Sequence, residues 1–532
     1  MSKHPRRLGP TLAIALAAAL ALAGCASTES SRDSGSTAAP AASGILGNQD
    51  GGTPVPGGTV SFATYAPVVS LDPTRTQPAA AAGGTEMAAV YDVLMRYDFG
   101  SKSFEPQLAQ SLEESSDHLS WTLQLRDGVT FSDGTPLDAG AVVASIERYN
   151  QRRGANSQLY RHLVQSTVAQ GPSTVVFTLK RPWRTFPVML AYGHGMIVAP
   201  SSQQGDRFTP IGAGPFTVVK LAPQQELELK ARPDYWNGAP HLDGLKFVAI
   251  AGEQPKIDAL ANGGIDMAYL RNAETVNAAK EAFPGFIDTT SLSMVGQLNS
   301  APGRPGADPR VRQAIALAID TDVINQRVRG GEGMTGTDMF QSWSLWHGDV
   351  AGTRPDTTAA EALLDKAKAD GYNGKLTYVG VNDPDTQNLA LAVQAQLNAI
   401  GFDVALEYTS SVTDMVQRLY ADRDFDMSYG AYSISDVAPE LRLFSSLHST
   451  STNNILGYKS PEMDGLLDKV LTAPDDTAKR KAITDMQSLV NTDQPFLAWG
   501  AGEAYTAWSP NLFGINPTVD GTLLFDKAFE KR

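Results

Sequence analysis

The chain has 532 residues, 42% apolar and 19% charged, with a formal net charge of −14. That length supports two or three domains and a large core, and the acidic balance argues against nucleic acid or an anionic membrane surface as a partner. The single cysteine excludes an internal disulfide and a thiolate metal cluster.

The N-terminus carries Lys3, Arg6 and Arg7, then an apolar run from Leu12 to Ala23. The run is too short to span a bilayer. It closes on Leu22-Ala23-Gly24-Cys25, which resembles a bacterial lipobox. The resemblance implies cleavage before Cys25, acylation of its sulfur and a membrane contact through lipid alone. Residues 1–24 therefore read as a lipoprotein signal peptide. Residues 25–57, rich in Ser, Gly, Ala, Thr and Pro, read as a flexible tether.

The folded chain opens with an alternating strand at Gly58 to Ala63, followed by Leu71-Asp72-Pro73. Gln77 to Thr85 is small and Gly-rich, so its backbone admits a close neighbour. Met87 to Met95 reads as a helix. Trp121 to Asn150 (WTLQLRDGVTFSDGTPLDAGAVVASIERYN) gives a half-buried strand, two Asp-Gly turns and a helix capped by Asp138. Thr174 to Leu179 is a strand. Ile211 to Phe216 is a Gly-rich turn without the GKS or GKT sequel of a phosphate loop. Ile257 to Leu270 gives a helix, a turn and a strand. Met294 to Leu298 is extended. Asp308 then caps a helix with Pro309 in its first turn and Val311, Ala314, Ile315, Ala318 and Ile319 on one face. Further on, Thr358 to Ala369 is a helix, Lys375 to Gly380 a strand, Thr386 to Ile400 a helix closed by Gly401, and Phe402 to Leu406 a strand. This β–α–β rhythm predicts a mostly parallel sheet covered by helices. Phe425 to Tyr429 is a further strand.

Several of these strings, in this order, resemble the extracytoplasmic solute-binding proteins of ABC importers, family 5, the peptide- and nickel-binding class. They are Val60-Ser61-Phe62 with Leu71-Asp72-Pro73, the Trp121–Asn150 block, Ile211–Phe216, Asp234–Gly238, ADPRVRQAIALAID after Asn299, and Asn453–Tyr458 with Pro461–Val470. The resemblance spans roughly residues 55 to 525. It implies an α/β, two-lobed periplasmic-binding-protein-like fold (class II, cluster C type) with a hinge. Lobe 1 would cover 58–298, with an inserted subdomain at about 97–210 standing away from the cleft. Lobe 2 would cover 299–501, and 502–532 would return to lobe 1.

A catalytic constellation is not evident. The seven histidines stand alone in sequence, HExxH and GxSxG patterns are absent, and the carboxylates fall at caps and turns. The chain thus reads as a binder without metal or cofactor, not an enzyme. The resemblance implies a small extended solute, a short peptide first, held in the inter-lobe cleft and delivered to a membrane permease with its ATPase subunits. The protein would be a monomer on the extracytoplasmic face of the membrane, without nucleic acid. It implies that Asp436, beside Tyr429 and Tyr432, receives a peptide ammonium, although Tyr432 stands where the family has Trp and Asp436 lies one residue further on. Backbone near Gly83 and Tyr432 would hold the ligand. Gln297 and Asn299 at the crossing between lobes, Trp343 in a Gly-rich stretch, and Trp499 at the second crossing complete the candidate set. Two other readings stay open: the same scaffold with haem, a nickel chelate, a sugar or a glycerophosphodiester, and a non-transporting envelope lipoprotein.

Overall fold

The computed structural model describes residues 42–531, so the signal-peptide and Cys25 assignments lie outside the described residues. One mixed, eleven-stranded sheet runs through the described chain. On one side lie Phe216–Ala222, Glu226–Ala231, Gly244–Val248, Thr59–Ala63 and Met267–Leu270, in that spatial order. On the other lie Met427–Gly430, Lys375–Val381 and Asp403–Thr409. Between them stand two long strands, an outgoing one, Gly285–Leu298, and a return one, Phe496–Trp508, paired antiparallel. Separate apolar clusters fill the two sides, one around Phe62, Phe216, Phe247 and Trp508, the other around Ile315, Tyr378, Val393 and Trp499. The architecture is two-lobed and α/β.

The parallel expectation holds for Lys375–Val381 with both of its neighbours, and for Thr59–Ala63 with both of its neighbours. Elsewhere the ladders are antiparallel, in lobe 1 because Phe216–Ala222, Glu226–Ala231 and Gly244–Val248 follow one another up and down, and at the centre because the chain crosses between lobes twice and runs back beside itself. The first helix is Gly84–Tyr91, not Met87 to Met95. Asp92 turns left-handed at φ 58° and Met95 already begins a strand, Met95–Asp98. The tether also ends earlier than the composition suggests. Gly44–Leu46 pairs antiparallel with Gly285 to Ile287, and Gly51 sits where a Cβ would meet Phe513 and Phe529 at 2.5 Å. Three residues that are marginal alone become an edge strand because a partner strand is already in place.

Helix Pro309–Ala318 forms as its sequence dictates. Asp308 accepts from the Arg310 amide at 2.9 Å, Pro309 needs no donor, and Val311, Ala314 and Ile315 are fully buried. Asp308 also holds the Arg310 guanidinium at 2.7 Å. Asp308→Ala is expected to lower stability by about 1 kcal/mol in urea unfolding, the usual worth of an N-cap. A loss below about 0.3 kcal/mol would show the cap to be redundant.

The ladder between the crossing strands runs from Gly285↔Ala507 to Thr290↔Gly502, breaks, and resumes at Met294↔Gly500. Leu292 in the break has φ 51°, and Gly500 has φ 147° with Met334 O only 2.2 Å from where a Cβ would sit. A left-handed leucine is strained and persists only where its surroundings dictate it. Leu292 O accepts from the amides of Tyr432 and Ser433, which fixes that turn. The break falls at residues 291–293 and 500–502. Beyond it Val295 to Leu298, on the lobe 1 side of the expected 298/299 boundary, pair with Met427–Gly430.

The inserted subdomain is a four-stranded antiparallel sheet, Ala109–Glu114, Ser120–Leu125, Thr174–Leu179 and Val164–Gln170 in spatial order, backed by helices Ala139–Gln151 and Ser157–Leu163. Its core of Leu123, Phe131, Ile146, Phe177 and Trp183 is continuous with Ala438, Leu441, Phe444 and Leu471 of lobe 2. It therefore packs against lobe 2 as well as lobe 1, while none of its residues lines the cavity described below.

Candidate functional site

Both lobes enclose a cavity of about 550 Å³ at this break. Lobe 1 supplies Tyr65, Ala79, Ala81, Ala82, Tyr269, Arg271, Asp288 and Asp520; lobe 2 supplies Arg329, Leu389, Tyr429, Tyr432, Ser433 and Arg442. Each charged side chain is placed by the end of an element. Arg271 follows the strand Met267–Leu270, and Arg329 is the last residue of helix Thr321–Arg329, closed by left-handed Gly330. Asp288 lies on the outgoing strand just before the break, and Arg442 on helix Pro439–Leu447.

The charges are unevenly paired. Arg442 holds Asp520 at 3.1 Å across the cleft. Among the described residues the Asp288 carboxylate has the Ser43 hydroxyl, 3.4 Å away, as its hydrogen-bond donor. Burial and then the Asp520 carboxylate push the Asp288 carboxyl up to about 7. Arg271 lies over the Tyr65 ring at 5.2 Å, and Arg329 shares the wall with Tyr429. Among the described residues neither guanidinium has a carboxylate partner within ion-pair distance. Glu253, also in the wall, is used by the amides of Arg271 and Asn272 at 2.9 Å and by the Thr275 hydroxyl. Asp385 at the rim is exposed.

Of the residues singled out from sequence, Tyr429 and Tyr432 line this cavity. The Tyr432 ring packs on Phe496 at 5.2 Å, and among the described residues its buried hydroxyl has no hydrogen-bond partner. Gly83 is next to the wall: with φ 112° it joins the single turn Ala80–Ala82 to helix Gly84–Tyr91, and the alanines before it face the cavity. Asp436 lies outside the wall. Its carboxylate accepts from Ser344 Oγ at 2.5 Å and the Leu345 amide at 2.8 Å, and its carbonyl accepts from Trp346 Nε1, so it braces a loop of lobe 2. Trp343 belongs to that loop region and donates to Gln341. Gln297 is buried against Gly430. Asn299 ties its amide to the carbonyls of Arg423 and Phe425 and accepts from the Ala301 amide. Trp499 is 2% exposed in the lobe 2 core. Gln297, Asn299 and Trp499 flank the crossings, as their place in the sequence suggests, but none of them lines the cavity.

Sequence reasoning missed Arg271, Arg329, Asp288, Asp520 and Arg442. Cations at element ends are ordinary, and only the fold makes these converge. It also missed a contact between subdomain and lobe 2. Arg181 binds both oxygens of Asp468 at 2.8 and 2.9 Å, and His162 Nε2 lies 2.9 Å from the same carboxylate. His448 stands edge-on to His162 with ring centroids 5.1 Å apart. Two histidines and an aspartate could hold a metal ion; here the Arg181 guanidinium, 2.8 Å from His162 Nε2, supplies the cation.

Comparison with known proteins agrees with this architecture. Residues 103–454 match the family described as bacterial extracellular solute-binding proteins, family 5 Middle. The chain is 26% identical over 450 residues to the probable D,D-dipeptide-binding periplasmic protein DdpA of Escherichia coli K12, covering 80% of this chain and 86% of that one. It is 24% identical over 443 residues to the glutathione-binding protein GsiB of Salmonella paratyphi A, covering 79% and 85%. Its fold is similar to that of DppA from Helicobacter pylori in complex with the peptide STSA, with a TM-score of 0.76, 22% identity, and 90% and 99% coverage. The oligopeptide-binding protein AppA from Bacillus subtilis, in complex with a nonapeptide, gives a TM-score of 0.76 at 21% identity, with 90% and 100% coverage. A match over so much of the chain, on a two-lobed fold with a cleft between the lobes, decides the assignment: this chain belongs to family 5 of the bacterial extracellular solute-binding proteins, the solute-capturing and non-enzymatic components of ABC importers.

Proposed function

We propose that the protein captures short peptides in the inter-lobe cleft and presents them to a membrane permease driven by ATPases inside the cell, while a lipid on Cys25 holds it, as a monomer, at the extracytoplasmic face. The observation that carries this reading is the cavity of about 550 Å³ walled by both lobes, within the range of small-molecule sites. Its lining suits a peptide. Ala79, Ala81 and Ala82 let a backbone lie close, and Tyr65, Tyr269 and Tyr429 offer rings and hydroxyls. The ammonium pole falls to Asp288, not Asp436. Asp288 lacks a cation within ion-pair distance among the described residues, and a buried ammonium needs a charge partner.

The test is a thermal-shift screen of the purified full-length protein with di- to hexapeptides, haem, nickel chelates and sugars. Ligand at a hundred times Kd stabilises by about 2.7 kcal/mol. Short peptides are expected to raise the melting temperature, and Asp288→Asn to abolish most of the effect. A shift by haem, a chelate or a sugar with none by peptides would overturn the peptide reading.

A further inference from the structure

We propose that the cleft contains an anion receptor split between the lobes, made of Arg271 and Arg329, and that the solute carries a carboxylate beyond the charge pair of a plain peptide. The inference rests on the cleft being the solute site and adds the chemical class of its occupant.

Arg271 comes from lobe 1 and Arg329 from lobe 2, and both face the same cavity beside Tyr429. Among the described residues neither is within ion-pair distance of a carboxylate. Three of the acids that share the wall are engaged otherwise, and Asp385 is exposed to solvent. Asp520 is held by Arg442, Glu503 by Lys280 at 2.7 Å, and Glu253 by two backbone amides. Asp288 acts on Arg271 only from beyond ion-pair range, and is itself held back from ionising by burial and by Asp520. The Arg329 cation is disfavoured first by burial, with the Arg271 charge pushing the same way. Two cations brought together from opposite lobes repel each other, and an enclosed cation without an anion is costly. Guanidinium forks match carboxylates in geometry. A carboxylate between them turns repulsion across the cleft into attraction, so the anion both binds and draws the lobes together. Two receptor cations against one receptor carboxylate, Asp288, fit a solute with one amine and two carboxylates, such as an acidic dipeptide.

The experiment measures binding of Ala-Glu, Ala-Ala, Ala-Lys and succinate by calorimetry and thermal shift. It uses the full-length wild type, Arg271→Met, Arg329→Met, and the charge-keeping Arg271→Lys and Arg329→Lys. Small-angle scattering with and without succinate reads closure. The wild type is expected to bind Ala-Glu about 10- to 100-fold tighter than Ala-Lys, the worth of one charge-assisted hydrogen-bonded contact. Each Met variant should bring that ratio below about threefold, and each Lys variant should keep most of it. Without ligand the Met variants should melt no lower than the wild type, and succinate should compact the wild type alone. Equal binding of acidic and basic dipeptides, or selectivity surviving both Met variants, overturns the receptor while leaving the peptide reading in place. Succinate protection lost in the Met variants, with no dipeptide binding at all, supports the receptor and overturns the peptide reading. No response to any probe overturns both.

Discussion

Lys479→Met is expected to lower stability by about 3–5 kcal/mol, the cost of stranding a buried charge. Lys479, on helix Asp476–Asp493, meets Glu440 at 3.1 Å, and their side chains are 7% and 0% exposed. Glu440 sits in the first turn of helix Pro439–Leu447, where the helix dipole favours an acid. The Thr185 hydroxyl, from the subdomain, donates to its other oxygen. The Lys479 ammonium also lies 5.3 Å from the centre of the Trp346 ring. Removing the ammonium leaves a carboxylate that water cannot reach. Removing both charges, in Lys479→Met with Glu440→Gln, should recover most of the loss, since a buried pair contributes little net stability over neutral groups. Urea unfolding of the two singles and the double at pH 7 checks this. If the double is as unstable as Lys479→Met, packing and not charge holds this interface.

Glu86→Gln is expected to do the opposite and stabilise the protein near pH 8. Glu86 lies on helix Gly84–Tyr91, is 0% exposed, and among the described residues neither carboxylate oxygen has a hydrogen-bond partner. Burial pushes its carboxyl up to about 7. A group raised in the folded state contributes stability that is fully present below its unfolded value near 4.5 and is lost as pH rises toward 7. The span amounts to about 3 kcal/mol. The glutamine variant should match the wild type near pH 4 and exceed it increasingly up to pH 8. Asp92 and Asp288, both raised to about 7 by burial first, bend the wild-type profile the same way. An advantage that stays constant from pH 4 to 8 would mean that ionisation of Glu86 is not the cause.

Much of the fold was legible because its signals are local. The Asp138 and Asp308 caps accept from the Ala141 and Arg310 amides as their positions imply, and Gly128 and Gly134 turn left-handed at φ 74° and 82°. What stayed hidden was set by partners distant in sequence. Nothing around Gly44 announces a strand until Gly285–Leu298 lies beside it. The site was legible only in part for the same reason. Tyr429 lies on a recognisable strand and Tyr432 just after it, so they could be placed. Asp436 looked like a receptor because it follows them, but its carboxylate closes a loop on Ser344. Arg271 and Arg329 look like ordinary ends of a strand and a helix, and no periodicity brings residues of separate lobes face to face.

The return of the chain to lobe 1 sets an order of assembly. Lobe 2 is nearly contiguous, and its elements can condense as soon as they are made. Lobe 1 waits. Its strand Met267–Leu270 has Thr59–Ala63 on one side but lacks its second neighbour until Tyr505 to Trp508 arrive, and Leu512, Ile515 and Phe525 plug its core last. The Leu523 amide meets the Thr85 hydroxyl across 438 residues of sequence. Long-range pairings of this kind close late, and the surfaces awaiting them stay sticky meanwhile. The first half of the chain is therefore the part that most needs a chaperone's cover during synthesis, and a nascent product stopped short of the return strand is a target for proteases although most of its sequence is present.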